Sequence, residues 1–244
     1  MGLSLTVLGS CGSYPGPGRA CSGYLVRSAR TAIWVDCGPG TLSNLQRHVD
    51  LVDVDAVVVS HEHPDHSSEL ASFYVAAKYY LRLDRVPVFA PASVRSTAYY
   101  DGAPLDWTAV RDGSTATVGD LDLTFSRTDH GPETVALRVD GDGASLGYSA
   151  DSGPHWSLSA LGTGLGLAVC EATYLADSEG RAQHMSARQA GLAGRKAGVG
   201  RLVLTHVQPG VDHDAIRREA SAAFGAGVDV AMEGDVYEVP AVAS

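Results

Sequence analysis

Short apolar runs separated by turn-forming residues dominate the beginning of the chain. Such runs predict strands at 3–8, 23–28, 31–35 and 56–60, because strands of this length carry β-branched and aromatic residues between turn signals. The last of these runs, Ala-Val-Val-Val-Ser, lacks any alternation of polar residues. It therefore predicts a strand that is buried on both faces.

The pattern changes to helical spacing after this strand. Apolar residues recur at three- and four-residue intervals and predict a helix from Ser68 to about Leu83. The positions that define it are Leu70, Phe73, Tyr74, Ala77 and Leu81. A short strand at 86–89 and a helix that begins near Ser93 follow.

The rest of the chain is first rich in strands and then alternates strands with helices. Turn signals at Gly119-Asp120 and Gly141-Asp142-Gly143 divide a β-rich region from 115 to 148. The following elements are a strand at 167–170, a helix at 186–196, a strand at 201–204, a helix at 212–224 and two closing strands. Ser186 and Asp212 are expected N-caps. This order predicts an α/β (α+β) chain in which two packed sheets are flanked by helices.

Metal-ligating residues crowd into residues 61–66, directly behind the strand-like run that ends at Ser60. His61 and His63 alternate along an extended segment and can face one ion, while Asp65 and His66, beyond the turn at the proline, can face a second. Imidazole nitrogens and carboxylate oxygens are ligands of zinc and of its first-row neighbours. A solvated polar loop is the alternative, but buried polar groups at one strand end require a shared partner. The run predicts a metal site.

Further candidate ligands occur singly, each where a strand-like run gives way to a loop. They are His130 after 121–125, Asp151 after 145–150 and His206 after 201–205. Loops at strand ends are where layered folds build their sites. We therefore expect these residues to join the site at 61–66.

The spacing His-x-His-x-Asp-His, with these three later residues in order, resembles the signature of the metallo-β-lactamase superfamily over nearly the whole chain. The resemblance implies an αββα sandwich of two mixed β-sheets flanked by helices, with a site at one sheet edge for two divalent metal ions. Zinc is the expected metal, and manganese is the alternative. The implied ligands are His61, His63 and His130 for the first ion, Asp65, His66 and His206 for the second, and Asp151 as a bridge between them.

Two further motifs resemble the branch of this superfamily that contains ribonuclease Z and related metal-dependent phosphodiesterases. They are Cys-Glu-Ala-Thr-Tyr at 170–174 and His-Met-Ser at 184–186, and the loop at 9–15 is similar to that branch as well. The resemblance implies that His184 contacts the scissile phosphate and not a metal. It further implies attack by a metal-bound hydroxide, which Asp65 would orient or deprotonate. Asp65 and His184 are thus the expected catalytic residues.

Composition and charge narrow the expected substrate. The 244 residues include 18 Lys plus Arg against 28 Asp plus Glu, a formal net charge of −10, without a basic cluster that could track a phosphate backbone. The segment between His130 and Asp151 is too short for the long arm of the transfer-RNA-processing enzymes. Long nucleic acid is therefore not the expected partner. A small phosphodiester, a cyclic nucleotide of the cyclic-AMP type, fits better.

Two other functions remain open at this stage. One is ribonuclease Z-like cleavage at the 3′ end of transfer RNA, and the other is non-catalytic metal binding or sensing on the same scaffold. With 45% hydrophobic and 19% charged residues and no linker-like segment, we expect one hydrolase domain over 1–244. The four cysteines show neither a disulfide pattern nor Cys-x-x-Cys spacing, and no signal or membrane segment is apparent. Both observations favour a cytoplasmic protein.

Several positions keep more than one interpretation. Cys37 is expected to pack near the metal site without ligating, Glu62 to face solvent, and Glu171 either to hydrogen-bond a ligand histidine or to serve structure alone. The aromatic segment 76–107 is interpreted as core packing, a nucleobase-stacking surface or a contact in a homodimer. His48, His155 and His213 match no motif.

Overall fold

The computed structural model describes residues 2–241, and in them two seven-stranded sheets face each other. The first sheet contains β1 (Ser4–Gly9), β2 (Gly23–Arg27), β3 (Ala32–Val35), β4 (Ala56–Val58), β5 (Val86–Ala90), β6 (Leu105–Ala109) and β14 (Val236–Glu238). The second contains β7 (Thr115–Val118), β8 (Leu121–Arg127), β9 (Val135–Gly141), β10 (Ala144–Tyr148), β11 (Leu167–Glu171), β12 (Arg201–Thr205) and β13 (Asp229–Val230).

Both sheets are mixed and are built to a similar plan. In the first, with the order β14-β1-β2-β3-β4-β5-β6, β14 to β3 pair antiparallel and β3 to β6 pair parallel. In the second, β7 to β10 pair antiparallel and β10 to β13 pair parallel. Parallel pairs need crossover connections, which place helices on the outer faces.

Helices cover the outer face of each sheet. The α-helices are α1 (Thr41–Leu45), α2 (Pro64–Ser67), α3 (Leu70–Val75), α4 (Ala92–Thr97), α5 (Ala187–Ala197) and α6 (His213–Phe224). One apolar core lies between the sheets, a second packs α5 and α6 on β11 and β12, and a third packs α3 and α4 on the first sheet. The predicted αββα sandwich of two mixed sheets is confirmed.

The structure corrects the prediction of one helix from Ser68 to Leu83. Helical backbone begins at Pro64, which suits the first turn because proline lacks the amide hydrogen that would be unpaired there. The backbone N–H of Glu69 donates to the carbonyl of Cys37 at 2.8 Å and so leaves the helical ladder. A separate α3 follows, and it continues into a π-helical turn at Ala76–Tyr80.

Strand β6 was not predicted from the sequence. It lies at the edge of its sheet, and only Leu105 among its residues is buried, so the apolar pattern on which strand prediction depends is weak. The other predicted strands are found within a residue or two of their expected bounds, and Ser186 and Asp212 cap α5 and α6 as expected. Within residues 2–241, no helix has the length and apolar character needed to cross a bilayer.

Candidate metal centre and active site

The candidate ligands from distant parts of the chain meet where strands of both sheets end. Their ligand atoms form two groups, each with all members within 4.8 Å of one another. We call His61, His63, His130 and Asp151 the first cluster, and Asp65, His66 and His206 the second cluster. All these residues are buried except His63, which is partly exposed. The structure therefore brings together every residue of the expected ligand set.

Outer hydrogen bonds fix the histidine tautomers of the first cluster. His61 Nδ1 lies 3.0 Å from Ser60 Oγ, whose own hydrogen is donated to Asp36 Oδ2 at 2.9 Å. His61 Nδ1 must therefore donate to Ser60, which leaves His61 Nε2 with a lone pair. His130 Nδ1 likewise donates to the carbonyl of Gln183 at 3.1 Å.

The inward nitrogens of this cluster then converge. His61 Nε2 lies 3.0 Å and His130 Nε2 lies 3.3 Å from His63 Nδ1. Nitrogens bound tetrahedrally to zinc at about 2.0–2.1 Å are roughly 3.3 Å apart. These separations therefore suit one ion held by all three rings.

The second cluster shows the same arrangement. His66 Nδ1 donates to Asp36 Oδ2 at 2.7 Å. His206 Nδ1 lies 2.9 Å from Thr173 Oγ1, whose hydrogen goes to Glu171 Oε2 at 2.8 Å, so His206 donates to Thr173. The remaining nitrogens of both rings, Nε2, point their lone pairs toward carboxylate oxygens.

Asp151 faces both clusters with different oxygens. Its Oδ2 lies 3.5 Å from His61 Nε2 and 3.9 Å from His130 Nε2. Its Oδ1 lies 3.2 Å from His66 Nε2 and 3.3 Å from His206 Nε2. This is the geometry expected of a carboxylate that bridges two ions.

Two of these buried atoms test directly whether a cation fits. His66 Nε2 and Asp151 Oδ1 have no hydrogen-bond partner within residues 2–241, although they lie 3.2 Å apart. Buried polar atoms are rarely left unpaired because each costs about 1–3 kcal/mol. In the neutral ring of His66 the proton is on the other nitrogen, so these two atoms then present lone pairs to each other. A cation between them would satisfy both.

Metal ligation requires neutral imidazoles and ionised carboxylates, and the first cluster has the matching pKa shifts without an ion. Burial lowers the pKa of His61 to about 4, and the neighbouring His66 adds to the effect. Burial also lowers the pKa of His130.

Burial opposes a charge on His66, but the carboxylates of Asp151 and Asp36 outweigh it and raise the pKa of that ring. Burial also favours the neutral acid at Asp65, yet close contact with His206 and positive charge on the neighbouring imidazoles hold the pKa of the carboxyl well below its usual range. A bound cation would take the place of the protons on these rings.

Asp36 is a supporting residue that the sequence did not reveal. Its buried carboxylate accepts hydrogen bonds from His66 Nδ1, from Ser60 N and Oγ, and from the Tyr148 hydroxyl at 2.7 Å. It therefore supports both clusters, since Ser60 in turn orients His61. The only local signal is its position at the end of β3, in the turn that also contains Cys37.

The amino-terminal loop closes one side of the second cluster. The backbone N–H of Ser13 donates to Asp65 Oδ2 at 2.8 Å. Gly12 packs so tightly on His206 that a Cβ there would lie 2.5 Å from the His206 carbonyl oxygen and 2.7 Å from Nδ1. Ser13, Asp36 and His206 all have positive φ, at 66°, 58° and 56°. Such backbone is strained in non-glycine residues and is typical of functional sites.

His184 lies beside the second cluster, where its ligand atom is within 4.8 Å of those of Asp151 and His206. His184 Nδ1 donates to Glu171 Oε1 at 2.9 Å, which leaves Nε2 free. Burial favours the neutral ring, but the hydrogen bond and charge of Glu171 prevail and raise the pKa of His184 to about 9. The carboxylate of Glu171 therefore favours the protonated form of His184.

Comparison with known proteins identifies the family. A model of the β-lactamase superfamily domain matches residues 31–207. The probable metallo-hydrolase YhfI of Bacillus subtilis is 30% identical over 97% of this chain and 100% of its own length. The crystal structure of the metallo-β-lactamase fold protein YhfI superposes with a TM-score of 0.89 over 96% of this chain and 98% of that one.

The chain belongs to the metallo-β-lactamase superfamily. Ribonuclease Z of Mycobacterium marinum is also similar, at 28% identity over 98% of this chain and 99% of its own length. The predicted resemblance to the superfamily and to its ribonuclease Z-like members is therefore confirmed. The chain is a metallo-hydrolase of this superfamily with a candidate His/Asp metal-binding cluster.

Glu171 takes a more central position in this superfamily member than the sequence indicated. One oxygen accepts from His184 and from the backbone N–H of Ser152, and the other accepts from Thr173 and from the N–H of Met185. It contacts the ligand candidate His206 only through Thr173. Thr173 was missed as a supporting residue.

The remaining residues singled out from the sequence lie outside the clusters. Cys37 is buried, with its backbone N–H donating to the carbonyl of His66 at 2.6 Å, and belongs to neither metal cluster. Glu62 is partly exposed and His155 is exposed. His48 and His213 are partly exposed and belong to neither cluster as well.

Proposed function

We propose that this protein is a dinuclear-metal-dependent phosphodiesterase that hydrolyses a small phosphodiester, a cyclic nucleotide of the cyclic-AMP type. The observation that carries the proposal is the His184–Glu171 hydrogen bond of 2.9 Å beside two convergent ligand clusters. A partly buried histidine that a carboxylate keeps protonated, next to a dinuclear centre, suits a substrate on which negative charge develops, as it does on a phosphoryl group in hydrolysis.

The residues present fit two divalent cations, with zinc as the proposed metal and manganese as the alternative. His61, His63 and His130 would hold the first, Asp65, His66 and His206 the second, and Asp151 both. When bound, such ions lower the pKa of water and neutralise a phosphoryl oxygen. Four of the five histidine ligands, His61, His130, His66 and His206, are preorganised because their outer N–H groups are engaged by Ser60, Gln183, Asp36 and Thr173.

The other roles belong to side chains of this chain. Asp65, held ionised and oriented by the Ser13 N–H, would orient the attacking water and accept its proton. His184 would donate to the phosphoryl or leaving oxygen as charge builds there. Glu171 keeps His184 protonated and fixes its ring, because its other bonds anchor the carboxylate to the backbone of Ser152 and Met185.

The connection between His130 and Asp151 supports a small substrate. It consists of the β9–β10 hairpin, which turns at Asp142 and Gly143 with φ of 53° and 72°. No arm extends from it to hold a folded RNA. The net charge of −10 also repels a polyanion that approaches within the Debye length, about 8 Å at physiological salt.

Ribonuclease Z-like cleavage of precursor transfer RNA is the second candidate. The specific observation in its favour is the similarity to Mycobacterium marinum ribonuclease Z over 98% of the chain. This candidate predicts cleavage that weakens steeply as salt increases, because phosphate contacts release counterions.

A substrate panel separates the two candidates. Protein loaded with zinc or with manganese is given bis-p-nitrophenyl phosphate, cyclic AMP, precursor transfer RNA, a β-lactam and a thioester at equal enzyme concentration. We expect turnover of the first two, loss of that turnover in Asp151→Ala, and unchanged turnover in the exposed control His155→Ala. Efficient, salt-sensitive cleavage of the RNA with inertness toward cyclic AMP would reverse the order of the candidates. Failure to bind any metal would refute both.

A further inference from the structure

A pocket of about 330 Å³ lies against the segment that bears the first histidines and is not used by the chemistry described above. Glu62, Pro64 and Ser68 form one side, and Val94, Tyr99 and Tyr100 form the other. This volume falls at the lower end of the range for small-molecule sites, about 300–1,000 Å³. It is sufficient for one planar ring system.

The pocket and the metal clusters share a wall. Glu62 and Pro64 line the pocket, while their chain neighbours His61, His63 and Asp65 belong to the clusters. Consecutive Cα atoms are about 3.8 Å apart. The segment 61–66 therefore borders both the clusters and the pocket.

Stacked aromatic rings hold the opposite wall in place. The rings of Tyr74 and Tyr100 are parallel within 10° at a centroid distance of 4.4 Å, and Tyr74 is buried. Tyr99 meets Tyr100 edge to face at 4.7 Å, yet 81% of Tyr99 remains exposed. A large aromatic side chain that is supported from behind and open in front is a surface on which another ring can stack.

The polar groups of the pocket select the kind of ring. The hydroxyls of Ser67 and Thr97 already donate to backbone carbonyls of their own helices. Within residues 2–241 no group donates to the Glu62 carboxylate, the charged side chain of the lining. Glu62 can therefore accept from a ligand N–H, and its charge disfavours a further phosphate at this position.

We propose that this pocket binds the nucleobase of the substrate, with the base face on Tyr99 and an exocyclic amino group donating to Glu62. The inference rests on the proposed function and names the part of the substrate that confers specificity. An amino-bearing base matches both the apolar wall and the carboxylate. A base without N–H donors would leave Glu62 desolvated and unpaired.

The test compares cyclic AMP with its analogue that lacks the 6-amino group, and with bis-p-nitrophenyl phosphate, which has no base. Tyr99→Ala should raise KM for cyclic AMP about tenfold, the scale of losing one stacked base. Its effect on kcat should be smaller, because Tyr99 touches no reacting atom. The selectivity ratio for cyclic AMP over bis-p-nitrophenyl phosphate, in kcat/KM, should fall accordingly. Glu62→Ala, which removes the acceptor, should abolish the preference for cyclic AMP over the deaminated analogue. The control Tyr80→Ala removes a tyrosine that is 80% exposed and lies outside the pocket lining, and it should leave both ratios unchanged.

A binding measurement separates this inference from the proposed function. Adenosine added to the purified protein should perturb the NMR resonances of the Tyr99 ring more than uridine does, even if no phosphodiester is hydrolysed. If bis-p-nitrophenyl phosphate is hydrolysed while Tyr99→Ala and Glu62→Ala keep wild-type selectivity and adenosine leaves Tyr99 unperturbed, the pocket assignment is overturned and the proposed function is not. If the protein hydrolyses no phosphodiester, the proposed function fails, and the adenosine titration still decides whether the pocket binds a base.

Discussion

Asp36 and His66 form a buried hydrogen bond of 2.7 Å on which the second cluster depends. Because the His66 Nδ1 proton is held by Asp36, His66 Nε2 is left as a lone pair that faces Asp151. Asp36 itself is fixed by donors from Ser60 and Tyr148. A residue far from the ligand motif in sequence thus sets the tautomer of a ligand candidate.

Replacement of this carboxylate should weaken metal binding. We expect Asp36→Asn to lower metal affinity about 10- to 100-fold, the usual scale for a group that orients a ligand histidine. Competition with a chromogenic chelator measures this affinity. Tyr148→Phe is the matched control, since it removes one donor to Asp36 and leaves the bond to His66. Equal metal affinity in Asp36→Asn and wild type would contradict the role of Asp36.

Substitutions of Asp151 and His184 should have different effects on metal retention and on turnover. Asp151→Ala should lose metal and turnover together, because Asp151 faces both clusters. His184→Ala should retain its metal and lose roughly two to three orders of magnitude in kcat, the scale of removing one charge-stabilising donor. Elemental analysis and turnover of bis-p-nitrophenyl phosphate check both variants. Loss of metal from His184→Ala would instead make His184 a ligand.

Removal of metal should lower thermal stability. Without an ion, the carboxylates of Asp65 and Asp151 face each other and the orphaned His66 nitrogen remains unpaired. We expect a chelator to lower Tm by several degrees and added zinc to restore it, because an ion bound to the folded state stabilises that state. Asp151→Ala should show little response to either addition. If neither chelator nor zinc changes the Tm of the wild type, the site does not hold a resident ion.

The ionisation of His184 should depend on Glu171. The pKa of His184 is raised to about 9 despite burial, through the hydrogen bond and charge of Glu171. A raised pKa contributes stability that is complete below the ordinary histidine value and is lost as pH rises through about 9. Glu171→Gln should move the His184 pKa downward, as followed by NMR titration of its ring in the metal-free protein. In the same variant, the stability contributed by protonated His184 should be lost at a lower pH than in the wild type. An unchanged His184 titration would exclude Glu171 as the cause.

Close packing on His206 predicts intolerance to one added methyl group. Gly12→Ala should reduce metal affinity and turnover, since its Cβ would collide with the carbonyl oxygen and ring of His206. Gly16→Ala is the control in the same loop, because the nearest atom to its Cβ would be 3.6 Å away, an ordinary contact. Metal content and kcat of the two variants provide the comparison. Indifference to Gly12→Ala would mean that the loop does not constrain His206.

The sequence by itself determined the ligand candidates and the layered architecture. His61 to His66 are contiguous, and His130, Asp151 and His206 each follow an apolar run, so local patterns locate them at strand ends. Strand and helix periodicity is likewise local information. Prediction was weakest where local signals conflict with tertiary contacts. The helix predicted at 68 to about 83 begins instead at Leu70, because the Glu69 N–H bonds to Cys37, and the edge strand β6 lacks an apolar face.

Only the tertiary structure decided which side chains act together. Asp36 and His66 are 30 residues apart, Thr173 and His206 are 33 apart, and Asp65 and His206 are 141 apart. No spacing rule connects such pairs. The first two meet because β3 lies beside β4 and β11 lies beside β12, and the third meets because one sheet packs against the other. The aromatic segment 76–107 was similarly undecided between core packing, a stacking surface and a contact in a homodimer. In the structure, buried Tyr74 stacks on Tyr100 and holds it in place. Tyr99 contacts Tyr100 edge to face and remains exposed to solvent.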